Sequence, residues 1–409
     1  MNRLLTHRFA VVALVTAVPL PVLGYWLGQN WLTVIVAFGA LPLADWMVGQ
    51  DRHNPTPADE ARWARSGNGS AALYAYVPVQ LGLIAWGAAV FAGGELPAAQ
   101  ALGLLVSVGV VTGGQGITIA HELGHRRSAF DRMLAKLLLI TVCYGHFFIE
   151  HNRGHHARVA TPDDPATARL GETLYRFIPR AVTGSLVSAW RLEVLRLHRR
   201  DEACFSRHNQ MLWFFTLPVL LAAVLGVAFG LQAVLFFVGQ AVVAFSLLEA
   251  INYVEHYGLE RSNAGGRLER VTPRHSWNSS QRLSNACLIN LQRHADHHAY
   301  PTRPYPLLRH HYDSPQLPTG YPGMVLVALV PPLWFQVMNP RLARLRCGHP
   351  PPPVKTESAQ SPQGAAAIDH RADSFTWEPC EPYAQAPVRR HRERAGSPFG
   401  DDGLGGREF

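Results

Sequence analysis

The sequence predicts an all-α integral membrane protein with six transmembrane helices, a histidine-rich site on the cytoplasmic side, and re-entrant or interfacial helices beside the bundle. Three observations carry this expectation. Charged residues make up 16% of the chain against 48% hydrophobic, whereas soluble domains carry about a quarter charged. The apolar residues gather in runs near the ~20 residues that cross ~30 Å of hydrocarbon. Four histidine clusters fall at or near the ends of those runs, where polar groups beside lipid are costly and mark function.

The expected spans are 9–27, 31–48, 72–93, 99–120, 211–229 and 231–252. Arg3 and Arg8 precede the first, as in a signal peptide. No small-residue cleavage site follows, and a second apolar run comes almost at once, so the helix is read as retained. Segment 131–149 is apolar enough to span. A crossing there would put the histidines on its two sides on opposite faces, so it is expected to dip and return, or to lie buried against the bundle. Segment 323–338 is short, contains Pro331 and Pro332, and is read as interfacial or re-entrant.

With six crossings, the second, fourth and sixth helices end on the side where the chain begins. All the histidine clusters then share one face. The loops expected on the other side, 28–30, 93–97 and 230–231, hold no Lys or Arg. Arg3, Arg8, Arg52, Arg62, Arg65, Arg126, Arg127, Arg132 and Lys136 lie on the histidine side, which the positive-inside rule makes cytoplasmic, with both termini. Residues 1–345 are read as the membrane-embedded domain, and 346–409 as a disordered tail rich in Pro, Gly and charge. There is no internal repeat.

The net charge of +8 admits anionic lipid or an acidic protein partner; membrane embedding argues against nucleic acid. Cys143, Cys204, Cys287, Cys347 and Cys380 form no CxxC pair. This excludes a zinc ribbon or a fused four-thiolate iron site. It supplies no disulfide framework, in keeping with a cytoplasmic-side membrane protein.

The candidate metal ligands are His121 and His125 in HELGH, His151, His155 and His156 in EHNRGHH, His256 in NYVEHYGL, and His294, His297 and His298 in LQRHADHH. Imidazole readily binds iron, copper or zinc near neutral pH. Nine imidazoles exceed the four ligands of a tetrahedral zinc and suit two ions. His121 and His125, four apart, share one helical face, and His151 with His155 repeats that spacing. His156 turns to a neighbouring direction. His294, His297 and His298 again share a face, and His256 closes the site from a distant part of the chain. How the ligands divide between two ions is not legible from spacing. Glu122, Glu150, Glu255 and Asp296 accompany the clusters. Each is expected to accept the outer N–H of a metal-bound imidazole, although any one of them also fits as a surface or helix-cap acid, and direct ligation or bridging of the metals is open but not indicated by spacing. His7, His53, His198, His208, His275, His310, His311, His349, His370 and His391 are read as polar interface anchors, and His146 as a buried, hydrogen-bonded residue.

HELGH also fits HExxH, the zinc-protease signature with Glu as base. That reading leaves seven clustered histidines without a role. An all-histidine metal pair suits oxygen chemistry on a C–H bond instead. It needs electrons from outside and an apolar route for substrate between the helices.

HELGH, GHFFIEHNRGHH, INYVEHYGLER and LQRHADHHAYPTRPY, with DWMVGQDRHNP at 45–55, resemble in order the membrane alkane 1-monooxygenases (alkane ω-hydroxylases) of the desaturase/hydroxylase superfamily. The resemblance runs from about residue 30 to 340. Arg126 where the family often has Lys, and Tyr300-Pro301 where it often has Asn-Pro, leave the metal residues intact. The resemblance implies a six-helix di-iron enzyme of the bacterial inner membrane. It would convert n-alkanes to primary alcohols with O2 and electrons from rubredoxin and its NADH-dependent reductase, with the nine histidines as iron ligands. The alternative is a related membrane hydroxylase or desaturase acting on fatty-acyl or alkyl-aromatic substrates. Arg126, Arg127, Arg153, Arg158, Arg293 and Arg303 near the clusters fit either lipid anchoring or a docking patch for acidic rubredoxin. Trp31 and Trp46 are candidate limits on substrate length, though aromatic residues at helix ends more often serve as interface anchors.

Overall fold

The computed structural model describes residues 19–66, 70–264 and 267–347. Its elements begin with α1 (Leu20–Trp26), a turn at Gly28 with positive φ, and α2 (Leu32–Val48), which widens to a π-turn over Val36–Ala40. Next come α3 (Pro57–Ser66), α4 (Ser70–Ala92), α5 (Ala98–Gly124), α6 (Ala129–Ile140) and α7 (147–158). Then follow α8 (Leu174–His198), α9 (Gln210–Phe229) and α10 (Leu231–His256). A two-stranded antiparallel hairpin, Asn263–Ala264 with Arg267–Leu268, leads to α11 (Arg282–Cys287), α12 (His294–Ala299), α13 (Tyr321–Ala328) and α14 (Pro331–Arg346).

Among the described residues four helices, α4, α5, α9 and α10, are long and apolar enough to cross a membrane. They coincide with four of the six expected spans, which Pro97, Asn209 and Gly230 delimit at their ends. α2 falls at 31–48 as expected but below that length, and α1 is the described part of the expected span 9–27. The remainder of that span, and the expected tail from residue 348, lie outside the described residues. α13 and α14 meet at 120° and would make a fifth span if counted as one. The bend falls where Pro331 and Pro332 forbid a continuous helix, in line with the interfacial or re-entrant expectation.

α10 is shared by two apolar clusters. Phe236, Phe237 and Ala244 pack with α4, α5 and α9, while Ile251, Tyr253 and Tyr257 pack with Phe177, Tyr321 and Trp334. Its approach to α5 is close: a Cβ on Gly113 would stand 2.7 Å from the Ala244 backbone.

Segment 131–149 does not cross. α6 ends at Ile140, the chain reverses through Cys143 (φ 53°), and α7 returns toward the end of α5. The reversal is buried, so its backbone groups need partners. Gln240 Nε2 donates to Thr141 O at 2.9 Å, and Gln80 Nε2 to Thr141 Oγ1 at 2.6 Å. The Tyr144 hydroxyl donates to Glu249 at 2.6 Å. Gly145 fits the turn because a Cβ there would meet the Phe214 ring at 2.6 Å.

Candidate metal centre

The four clusters converge. Ligand-capable atoms of His121, His125, His151, His156 and His297 lie within 4.8 Å of one another, and so do those of His155, His256, His294 and His298. α5 and α10 supply His121 and His256 near their ends, His125 follows α5 directly, and the returning α7 and the short α12 supply the rest. A crossing at 131–149 would have held His125 and His151 a bilayer apart; their Nε2 atoms are 2.9 Å apart.

The Nε2 atoms face one another at the spacing of ligands around an ion. In the group of five, His151 and His156 are 3.0 Å apart, and His156 and His297 3.1 Å. In the group of four, the His155–His298, His256–His294 and His294–His298 distances are 3.2, 3.3 and 2.9 Å. Two nitrogens at right angles on a metal with bonds of ~2.1 Å stand about 3 Å apart. His121 Nε2 is buried with no hydrogen-bond partner. Such a group costs about 1–3 kcal/mol unless something else meets it, and an ion would. Burial and neighbouring imidazoles push His294, His297 and His298 well below the usual histidine range, and burial takes His125 down to about 3. The rings are therefore neutral, the form that binds metal. The donor set fits two ions.

Spacing left open how the ligands divide; His151 groups with His156, not with His155 four residues on. The reason is that 150–155 is a π-turn. Its i→i+5 bonding winds less per residue, so His155 and His156 flank the direction of His151 and diverge to the two groups. On α12, one face serves both groups, His297 one and His294 with His298 the other.

The carboxylate expectations are corrected too. Glu122 accepts bonds from Arg126 and from Tyr305 N. Glu150 pairs with Arg158 at 2.6 Å. Asp296 accepts from Arg303, from Arg309 N and from His311 Nε2. All three serve arginines, which outcompete a neutral ring for a buried carboxylate. Glu255 Oε2 does approach His294, but at Nε2 (3.1 Å), the nitrogen that faces the group; it stands as a candidate ligand rather than an outer partner. The carboxylate that performs the expected role is Asp164, whose Oδ2 accepts from His155 Nδ1 at 2.9 Å and from Thr167 at 2.7 Å. Burial raises its pKa, but His155 and Thr167 more than offset that and hold it below the usual range. It was missed because it sits in a histidine-free loop, and only the turn through Ala160 (φ 57°) folds it back. The DDP of its loop was the available signal.

The other described histidines stay outside both groups. His53, His198 and His208 are exposed, as anchors would be. His275 and His310 are buried instead, the first bonded to Thr272, the second to Ser280. His146 is buried against Tyr144, and its Nε2 makes no hydrogen bond, contrary to expectation. His7, His349, His370 and His391 lie outside the described residues. Trp46 is 77% exposed and Trp31 packs on Gly103, so neither faces the centre. Arg126, Arg153, Arg158, Arg293 and Arg303 are engaged within the fold, while Arg127 is exposed.

Comparison with known proteins places the chain among membrane oxygenases and desaturases. The fatty acid desaturase family model matches residues 95–327. The chain is 43% identical to alkane 1-monooxygenase 2 of Pseudomonas aeruginosa, over 80% of this chain and 89% of that protein. It is 42% identical to alkane 1-monooxygenase 2 of Alcanivorax borkumensis, over 78% and 83%. It is 27% identical to the xylene/toluene monooxygenase hydroxylase component of Pseudomonas putida, over 82% and 89%.

Proposed function

The chain belongs to the membrane alkane 1-monooxygenases, within the fatty acid desaturase family, and on that footing we propose that it hydroxylates the terminal carbon of n-alkanes at two non-heme irons. O2 is the oxygen source and reduced rubredoxin, recharged by its NADH-dependent reductase, the electron source. Residues 1–345 form the catalytic domain in the bacterial inner membrane, with both termini cytoplasmic. The observation that carries the reading is the sorting of nine imidazoles into neighbouring groups of five and four.

Bound there, two irons supply oxygen activation and an oxidant for a C–H bond. The chain's own residues do the rest. The nine imidazoles hold the metals, and Asp164 fixes His155 with its proton on Nδ1 and Nε2 facing inward. An alkane dissolved in the bilayer would reach the site from among the apolar helices of the bundle. Six of the nine histidines are buried, all four of the second group among them, which limits access of bulk water there. Glu122, bonded to Arg126 and Tyr305, is not placed as the base a zinc protease would need.

Membranes incubated with a ladder of n-alkanes, rubredoxin, reductase and NADH, then analysed by gas chromatography, test the activity; 1-alkanols are expected. Purified protein should hold about two irons per chain. An alkene would make it a desaturase, and a benzyl alcohol from toluene an alkyl-aromatic hydroxylase. Zinc with peptide cleavage would overturn the oxygenase reading altogether.

A further inference from the structure

The motif DWMVGQDRHNP at 45–55 contributes no metal ligand, yet it bonds repeatedly to the segment that carries the fourth histidine cluster. Asp45, 1% exposed, ends α2 with its carboxylate against the start of α11. Its Oδ1 accepts from Leu283 N at 2.7 Å, and both oxygens accept from Ser284 N at 3.2 Å. Gly49 O accepts from Arg282 N, and Asp51 N donates to Ser280 O at 2.8 Å. Asn54 and His310 exchange two bonds, Asn54 Nδ2 to His310 O at 3.0 Å and His310 N to Asn54 Oδ1 at 2.6 Å. Arg293, the buried residue before His294, completes the set. Its Nη2 donates to the carbonyls of Asp51 (2.9 Å) and His53 (3.1 Å), and its Nη1 to that of Leu308 (2.7 Å).

We propose that residues 45–54 are a positioning strap, anchored by Asp45 and Arg293, that sets how α12 presents His294, His297 and His298 to the two metal groups. The proposal rests on the reading of the nine imidazoles as iron ligands. α12 has six residues, too few to hold a helix or its orientation unaided. It feeds both groups from one face, so a small rotation misplaces ligands at both, and such sites tolerate about 0.5 Å. The guanidinium fork can span three carbonyls on two loops at once, which a point charge cannot. Asp45, Arg293 and Asn54 touch no ligand atom; they act through α12.

The test uses the full chain in detergent: wild type, Arg293→Gln, Arg293→Lys, Asp45→Asn, Asn54→Ala and, as a control in the same segment, Arg52→Gln. Iron retained against a chelator, the iron X-ray absorption spectrum, kcat and KM for octane are measured. Loss of a supporting partner at a metal site weakens binding about 10–100-fold. That loss is expected for Arg293→Gln and Asp45→Asn, with an altered spectrum, a lower kcat and an unchanged KM; Arg293→Lys should recover part of it and Arg52→Gln should match wild type. If Arg293→Gln does not fold, Asn54→Ala, which removes only the His310 bonds, carries the same expectation. Wild-type iron affinity and spectrum in every folded strap variant would overturn the strap while leaving the di-iron reading standing. A raised KM with iron unchanged would also overturn it, making the segment part of the substrate path. Wild type without iron would overturn both.

Discussion

Asp164 and His155 form a buried pair in which the carboxylate accepts a hydrogen bond from Nδ1 at 2.9 Å, while Nε2 of the same ring lies 3.2 Å from that of His298. The ring is thereby turned and its tautomer chosen before any ion arrives. Asp164→Ala should weaken iron retention about 10–100-fold and reduce alkane-dependent oxygen uptake, with the fold retained. Chelator competition on the purified protein checks it.

The two histidine groups should be separable by mutation. His297→Ala removes a member of the group of five and His155→Ala one of the group of four. Each is expected to abolish 1-alkanol formation while leaving about one iron per chain. Metal analysis showing both irons lost together in each variant would mean that the groups load as one unit.

Gln240 is fully buried in α10. It donates to the Thr141 carbonyl at 2.9 Å, and its Oε1 accepts from Thr112 at 2.9 Å. Gln240→Leu leaves both without that partner inside the bundle, at about 1–3 kcal/mol. A lower melting temperature in detergent is expected, with faster hydrogen exchange at Thr141 to Tyr144 as the sign that the reversal has loosened.

Gly113→Val puts a branched side chain where a Cβ already lies 2.7 Å from the Ala244 backbone. A backbone cannot swing aside as a side-chain tip can, so α5 and α10 must separate. Overpacking of this kind costs about 1–3 kcal/mol, and thermal unfolding should show it. Gly114, with only Leu247 at 3.9 Å, should accept alanine with little change.

Glu193 ties α8 to its neighbours, accepting from Arg196, Arg153 and Gln210. Burial raises its pKa, but Arg196 and Gln210 outweigh it and lower the folded value below the ordinary 4.5. A carboxyl with a depressed folded pKa stabilises fully above its unfolded value, and that contribution fades as pH falls through the folded one. Melting temperature should therefore drop on acidification below that range. Glu193→Gln should be less stable near neutrality and show a shallower acid dependence.

Much of this was legible in the chain itself. The spans at 72–93, 99–120, 211–229 and 231–252 were readable because apolar length is a local property that lipid enforces. The return of segment 131–149 followed from His125 and His151 needing one face. The π-turn at 150–155 left no such mark, so the parting of His155 from His151 was not legible. Glu122, Glu150 and Asp296 stood beside ligands in sequence and were assigned to them, but Arg126, Arg158 and Arg303 hold them instead.

The sequence by itself determined the inventory: nine imidazoles, the apolar helices that carry them, and a face they could share. These follow from side-chain chemistry and from the length a bilayer demands, both readable residue by residue. Tertiary structure alone decided the division into five and four, the choice of Asp164 as carboxylate, and the attachment of residues 45–54 to α12. Each joins atoms from separate loops or helices at about 3 Å, and sequence spacing does not encode the winding of a turn or the distance between helices.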